Sequence, residues 1–376
     1  MPYIESLSDA QNVLPYWLAL LHVPRCGPAC CQKLLTAFGD ITQAFKASTT
    51  ELIALGLPEE VRQGLRYPDW SSVEKALAWL QADTQHHILT WQDKRYPPLL
   101  NEISDSPPVL FVQGDPKVLL QLQLAVVGSR NPTHGGVELT QAWVAELIAS
   151  GLIITSGLAL GIDAVAHHSA LTNRGKTIAV MGTGLQRIYP ARNQELAEAI
   201  VENGGALVSE FQLDMQPKAE NFPRRNRVVS GLCLGTLVVE AGLRSGSLIT
   251  ARLAAEQGRE VFAVPGSIHN PLARGCHLLI RQGAKLVETV AEVLEELPLL
   301  APFTSQKVLT SVPEVATLAL DEAHAKLLEC IPHEPTSWDL LVVRSGKTVA
   351  ELSLMLLQLE LQGWIMCVHG SYMRVR

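Results

Sequence analysis

Phe222-Pro-Arg224-Arg225-Asn226-Arg227 puts three arginines and an aromatic ring into six residues, the densest positive charge in the chain. Guanidinium groups make charge-assisted hydrogen bonds to phosphate and stack on nucleobases, so this run suits a nucleic-acid backbone. The competing reading of this run is a solvated surface loop. Four other stretches gather small residues behind apolar runs. They are Gly128-Ser129-Arg130, Ser156-Gly157 with Gly161-Ile-Asp163, Gly182-Thr-Gly184, and Glu240-Ala-Gly-Leu-Arg-Ser-Gly-Ser247. Missing Cβ atoms and serine hydroxyls let backbone N–H groups converge on an anion, and a following helix adds its positive end. None is a Walker loop, and the first lacks the second and third glycines of the dinucleotide fingerprint. Each loop alone is an ordinary strand-to-helix turn. Four on one rim, with Arg130 converging on the arginine run, favour a phosphate or nucleotide site.

Other candidates for chemistry are weaker. Asp163 and His167 stand at i, i+4, a spacing that can hold a metal, but only His168 follows as a third ligand. Asp163 is expected to cap its helix or orient an arginine, and His167 to be partly buried and satisfied. Cys26, Cys30 and Cys31 lack a second Cys/His set, so no zinc is expected. No catalytic residue, metal site or cofactor is assigned.

Loops of this kind need a scaffold that delivers them to one edge. Between about 116 and 297, short runs rich in Val, Leu and Ile alternate with amphipathic segments. The runs are Leu122–Val127, Leu152–Thr155, Thr177–Met181, Ala206–Ser209, Leu234–Val239 and Glu260–Val264. The intervening helices are expected at Val137–Ser150, Ile162–Thr172, Gln194–Glu202 and Leu248–Gln257. That alternation predicts an α/β fold, a Rossmann-like doubly wound parallel sheet. Residues 1–115 read as an N-terminal helical domain, with helical spacing in Val13–Leu21, Cys30–Phe38 and Val73–Leu80. Leu20–Leu35 resembles a helix-hairpin-helix or sterile-alpha-motif segment, although only Gly27 stands where hairpins carry two glycines. Residues 298–320, with three prolines, read as a linker. Residues 321–376 carry three helical patterns and a terminal hairpin, the order of a winged helix. Its long helix, Thr348–Leu361, has almost no basic residue, only Lys347 at its start, where a helix that reads DNA shows several.

Composition sets the outer limits. The chain has 376 residues, 47% of them hydrophobic and 18% charged, so two or three packed domains are expected. The longest uncharged stretch, Leu147–Ile162, is interrupted by Gly151, Gly157 and Gly161, so no membrane span is expected. Seven scattered cysteines and a first segment without basic residues fit a reducing, cytoplasmic setting. The net charge of −7 means that an anionic partner must be held by a local patch.

In order along the chain, the motifs resemble one family. They are Gly128-Ser-Arg, Ser156-Gly-Leu-Ala-Leu-Gly-Ile-Asp-Ala-Val-Ala-His, Gly182-Thr-Gly, Phe222-Pro-Arg-Arg-Asn-Arg-Val-Val-Ser-Gly-Leu, Glu240-Ala, Ser245-Gly-Ser-Leu-Ile-Thr-Ala, Val264-Pro-Gly and Gly275-Cys. Over roughly residues 120–295 they are similar to the bacterial DNA-processing protein A family, also called Smf, and the three-part layout agrees. The resemblance implies a non-enzymatic protein that binds single-stranded DNA, loads the RecA recombinase onto it and forms a homodimer. It acts there in natural transformation or in recombination. It places the family's basic pocket at Gly128, Ser129, Arg130, Ser156, Gly157, Phe222, Arg224, Arg225, Asn226, Arg227 and Ser247. One departure is His277, where the family usually carries asparagine. The competing class is a Rossmann-like nucleotide phosphoribohydrolase resembling lysine-decarboxylase-like proteins. Its Pro-Gly-Gly-x-Gly-Thr-x-x-Glu loop is matched poorly by Gly235-Thr-Leu-Val-Val-Glu240, which has one extra residue before the glutamate. Arg225, central in its run, is expected in an exposed loop, where its loss leaves folding little changed.

Overall fold

Apolar residues at helical spacing build the N-terminal region of the computed structural model, which describes residues 9–297, 321–333, 336–368 and 371–374. Six helices follow one another: α1 (Asp9–Leu20), α2 (Pro28–Phe38), α3 (Ile41–Lys46), α4 (Thr49–Ala54), α5 (Glu59–Arg66) and α6 (Trp70–Ala82). Asp40 and Asp69 cap α3 and α6, and Ser48 with Glu51 forms a reciprocal capping box on α4. Such caps satisfy the free N–H groups that short helices leave at their starts. Trp17, Leu34, Val61 and Leu65 meet in a core that also takes in Phe111, Ala179 and Leu207 of the sheet.

That shared core corrects the boundary expected near residue 115. After α6 the chain runs through β1 (His86–Thr90), α7 (Pro98–Asn101) and β2 (Val109–Gly114), and both strands join the central sheet. Val109-Leu-Phe-Val112 has no alternation because both of its faces are buried: Phe111 faces the N-terminal helices, while Leu110 and Val112 face the opposite layer. A strand covered on both sides carries no period-2 signal.

The chain then alternates: β3 (Gln123–Val127), α8 (His134–Ala149), β4 (Ile153–Ser156), α9 (Ile162–Thr172), β5 (Thr177–Val180), α10 (Gln194–Glu202), β6 (Ala206–Ser209), α11 (Asn221–Gly231), β7 (Gly235–Val238), α12 (Ser247–Glu256), β8 (Glu260–Ala263), α13 (Arg274–Arg281), β9 (Lys285–Leu286) and α14 (Val290–Glu295). Among the described residues the sheet has nine strands, in the order β1-β2-β6-β5-β4-β3-β7-β8-β9. From β3 to β6 each strand is added on one side; β7 then returns to the other side of β3, pairing Leu124 with Gly235 and Val127 with Val238. Side chains alternate across β3: Leu124 and Val126 pack under α8, whereas Ala125 and Val127 pack under α11 and α12. The doubly wound reading holds, and the six expected strands are all present.

Beyond the first unit, which contacts separate from the second between Gln306 and Lys307, a smaller unit has its own core of Leu327, Leu341, Leu352, Leu356 and Ile365. It consists of α15 (Glu322–Glu329), β10 (Thr336–Ser337), α16 (Trp338–Ser345), α17 (Val349–Leu361), β11 (Ile365–Val368) and β12 (Ser371–Arg374), with sheet order β10-β12-β11. This is a winged helix. The expected linker 298–320 and the expected turn at His369-Gly370 lie outside the described residues.

His167 joins the central layers. It is fully buried on α9. Its Nδ1 lies 2.7 Å from Thr177 Oγ1, and that hydroxyl donates to the Ile154 carbonyl at 2.7 Å, so Nδ1 carries the proton. Its Nε2 has no partner among the described residues, contrary to the expectation of a partly buried, satisfied ring. Burial lowers its pKa to about 3. An unfolded histidine takes up a proton near pH 6.5, and the folded one refuses it until about pH 3. Stability should therefore fall as pH drops through that window, by up to about 1.4 kcal/mol per pH unit from this group. His167→Asn keeps a donor near the Nδ1 position and should flatten this acid limb. Urea unfolding of both proteins between pH 4.5 and 7.5 measures the difference, and parallel limbs would reject the assignment.

Candidate nucleic-acid interface

Where β3 and β7 send their connections to opposite faces, a crevice is left beyond their carboxyl ends among the described residues. A cavity of about 680 Å³ opens there. Its walls come from the loop after β3 (Gly128, Ser129, Arg130), the loop after β4 (Gly157), the start of α11 and the loop Gly242–Ser247 before α12. The rim is tightly tied. Ser129 accepts the Ile162 N–H at 3.1 Å, and a Cβ on Gly161, whose φ is +78°, would lie 2.3 Å from the Ser129 oxygen. Only glycine permits that approach. Glu240, buried after β7, accepts the Thr133 N–H at 2.8 Å and its hydroxyl at 2.6 Å, which joins the two rim loops.

The arginine run lies in α11, not in a surface loop. Pro223 falls in the first helical turn, where its missing N–H costs nothing, and Val228 and Val229 anchor the helix in the core. Helical periodicity then divides the run. Phe222, Arg225, Asn226 and Val229, spaced i, i+3, i+4, i+7, face the cavity. Arg224 and Arg227 point away and line a second cavity of about 880 Å³. There Arg227 forms a buried ion pair with Glu210 and reaches Asp105 Oδ2 at 3.2 Å. Arg224 donates to Glu210 Oε2 at 3.1 Å and lies over the Phe211 ring.

Arg225 is 5% exposed, which overturns the expectation of an exposed loop arginine. Its Nη1 donates to the Gly157 carbonyl at 2.6 Å and also to the Val180 carbonyl. Asp163 accepts N–H groups from Gly157 at 3.1 Å and Ala159 at 3.4 Å, closing the loop that Arg225 supports. Burial raises the Asp163 pKa, opposed by the charge of Arg225, and burial pushes Arg225 down to about 10. Asp163 therefore ties down the loop before α9 instead of capping that helix, whose start at Gly161 carries no side-chain cap, and it meets Arg225 only through their opposite charges.

Of the expected residues, Gly128, Ser129, Arg130, Gly157, Phe222, Arg225, Asn226 and Ser247 line one cavity. Ser156 does not: it is buried and donates to the Val126 carbonyl at 2.6 Å. Arg224 and Arg227 belong to the other side of α11. Arg244, Asn131 and Tyr189 also line the cavity. Arg244 stood inside a motif already singled out, whereas nothing local marks Tyr189. Arg130 and Arg244 are exposed and have no ion-pair partner among the described residues, so their charge faces the cavity unspent. His277 keeps a polar contact, its Nε2 lying 3.0 Å from the Gly266 carbonyl oxygen. No group of three His, Cys, Asp or Glu among the described residues is arranged to hold a metal.

A doubly wound sheet with a cationic cavity at its switch point, an N-terminal helical layer and a winged helix defines a protein of the Rossmann-like class. Residues 87–298 match the family model for DNA recombination-mediator protein A, and residues 311–371 match that for the DprA winged helix domain. The chain belongs to this DprA/Smf family. It is 46% identical over 323 residues to protein Smf of Escherichia coli (strain K12), covering 84% of this chain and 85% of that one. It is 48% identical over 204 residues to DNA processing protein DprA of Streptococcus pneumoniae (strain ATCC BAA-255 / R6), covering 54% and 72%. The solved structure of the Streptococcus pneumoniae DprA superposes with a TM-score of 0.67 at 36% identity, covering 75% of this chain and 98% of that one. A Helicobacter pylori DprA structure, which concerns that protein's single-stranded DNA binding mode, gives a TM-score of 0.51 at 30% identity, covering 56% and 96%.

The three arginines should separate by stability. Arg227→Ala leaves the buried Glu210 carboxylate only its half-exposed partner Arg224 and should cost about 3 kcal/mol. Arg225→Ala should cost about 1.5–3 kcal/mol through its lost charged hydrogen bonds. Arg130→Ala, on the surface, should stay within about 0.5 kcal/mol of wild type. Urea denaturation monitored by tryptophan fluorescence ranks them, and wild-type stability in Arg225→Ala would contradict the buried placement.

Proposed function

We propose that this protein binds single-stranded DNA in the switch-point cavity and acts in DNA processing without catalysing a reaction itself. The observation that carries the reading is the pair Arg130 and Arg244, two unpaired guanidinium groups on one cavity rim, backed by loops whose N–H groups and hydroxyls suit phosphate. Arg225 contributes from behind: its charge is partly spent on Gly157 and Val180, and it fixes the wall on which a strand rests. The single-stranded DNA binding of the Helicobacter pylori relative supports the same reading. Loading of RecA, self-association as a dimer, a role in natural transformation and a cytoplasmic setting come from the family resemblance and are proposed with it. Among the described residues no helix is long and apolar enough to cross a membrane.

Against the phosphoribohydrolase alternative stands Glu240, whose two carboxylate oxygens are taken up by Thr133. No release of base from nucleoside monophosphates is expected. The winged helix supplies little to phosphate binding, because α17 carries Glu351 and Glu360 and no lysine or arginine.

Gel-shift titrations over a salt series test these statements. Single strands should bind more tightly than duplex at moderate salt, since the cavity offers no basic element for a major groove. Arg130→Ala should weaken single-strand binding by about 1.5–3 kcal/mol and shallow the salt slope by about 0.7. A chain ending at Leu297, which retains its own cores, should keep most of the affinity. Equal affinity for single strands and duplex would count against the proposal.

A further inference from the structure

We propose that Tyr189 is the base-stacking platform of this cavity and the residue through which it selects an unstacked strand. The proposal rests on the single-strand reading above and goes beyond it by assigning the base contact. Among the described lining residues only Tyr189 and Phe222 are aromatic. Tyr189 is 48% exposed, and its hydroxyl makes no hydrogen bond to a described residue. Its ring packs against that of Phe222 with centroids 5.5 Å apart and planes at 47°. Phe222 is itself held from behind: a Cβ on Gly182 would lie 2.7 Å from its ring. One aromatic residue thus braces another, whose open side stays in solvent beside a cavity that carries two unpaired arginines.

This arrangement suits a nucleotide in two parts. The phosphate goes to Arg130 and Arg244, and the base to the aromatic wall. Stacking needs a free base face, which duplex DNA hides between neighbouring pairs and a single strand exposes. Because every base has such a face, the platform favours single strands without fixing their sequence. Nothing in the geometry calls on the tyrosine hydroxyl, so phenylalanine should serve as well.

The test uses the full chain and two oligonucleotides of equal length, one with bases and one abasic. Tyr189→Ala should weaken binding to the base-bearing strand roughly five- to a hundredfold, and Tyr189→Phe should stay within about twofold of wild type. On the abasic strand Tyr189→Ala and wild type should bind alike. Tyr189→Leu, which still covers Phe222 but offers no π face, should behave as the alanine variant does. Arg130→Ala should weaken both strands by the same factor. The platform is overturned if Tyr189→Ala binds the base-bearing strand as wild type does, or loses equally on the abasic one, or if leucine restores affinity. Should Arg130→Ala change neither strand, the cavity reading falls and the platform with it.

Discussion

The wall of the cavity depends on one buried guanidinium. Removing a charged group from water is costly, and Arg225 offsets that cost with two carbonyl acceptors and the neighbouring charge of Asp163. Gly157 lies just past β4 and Val180 ends β5, so a single side chain joins α11 to two adjacent strands at their carboxyl ends. Asp163 completes the arrangement by taking the N–H groups of the Gly157–Ala159 loop. Burial shifts both groups toward their neutral forms while each favours the charged form of the other. Arg130 and Arg244, by contrast, have no ion-pair partner among the described residues.

Two further carboxylates show how the structure separates architecture from recognition. Glu210 absorbs Arg224 and Arg227 on the far side of α11 and, through Arg227 and Asp105, ties this helix to the segment before β2. Glu240 does similar work at the rim by bridging to Thr133, the N-cap of α8. The protein carries a net charge of −7, yet the acidic groups nearest the cavity are engaged internally. A local cationic site on an acidic protein is a matter of which charges are already paired, not of their sum.

The winged helix follows a different logic. Its long helix buries Leu352, Leu356 and Leu359 and leaves Leu354 and Leu357 exposed among acidic neighbours. Such a face, with acidic and no basic residues, is poorly suited to phosphate.

How far the sequence reached can be seen in α11. The types and order of Phe222–Arg227 marked a dense positive cluster, and the short apolar runs announced the parallel sheet, because both signals are local and survive without knowledge of neighbours. The helix itself was hidden: a proline and three arginines look like a loop until Val228 and Val229 are seen to dock. β1 and β2 were hidden for another reason: they join the sheet antiparallel, outside the strand–helix alternation that marks the other strands. Tyr189 carries no local mark, as its value comes from standing opposite Phe222. What the sequence by itself determined was the six parallel strands β3 to β8, the small-residue loops and the presence of a cationic cluster. Only the tertiary structure decided which arginines are free and which are spent. That choice depends on carboxylates and carbonyls 14 to 122 residues away, such as Glu210, Asp105, Gly157 and Val180, and on a helical period that turns neighbours in sequence to opposite faces.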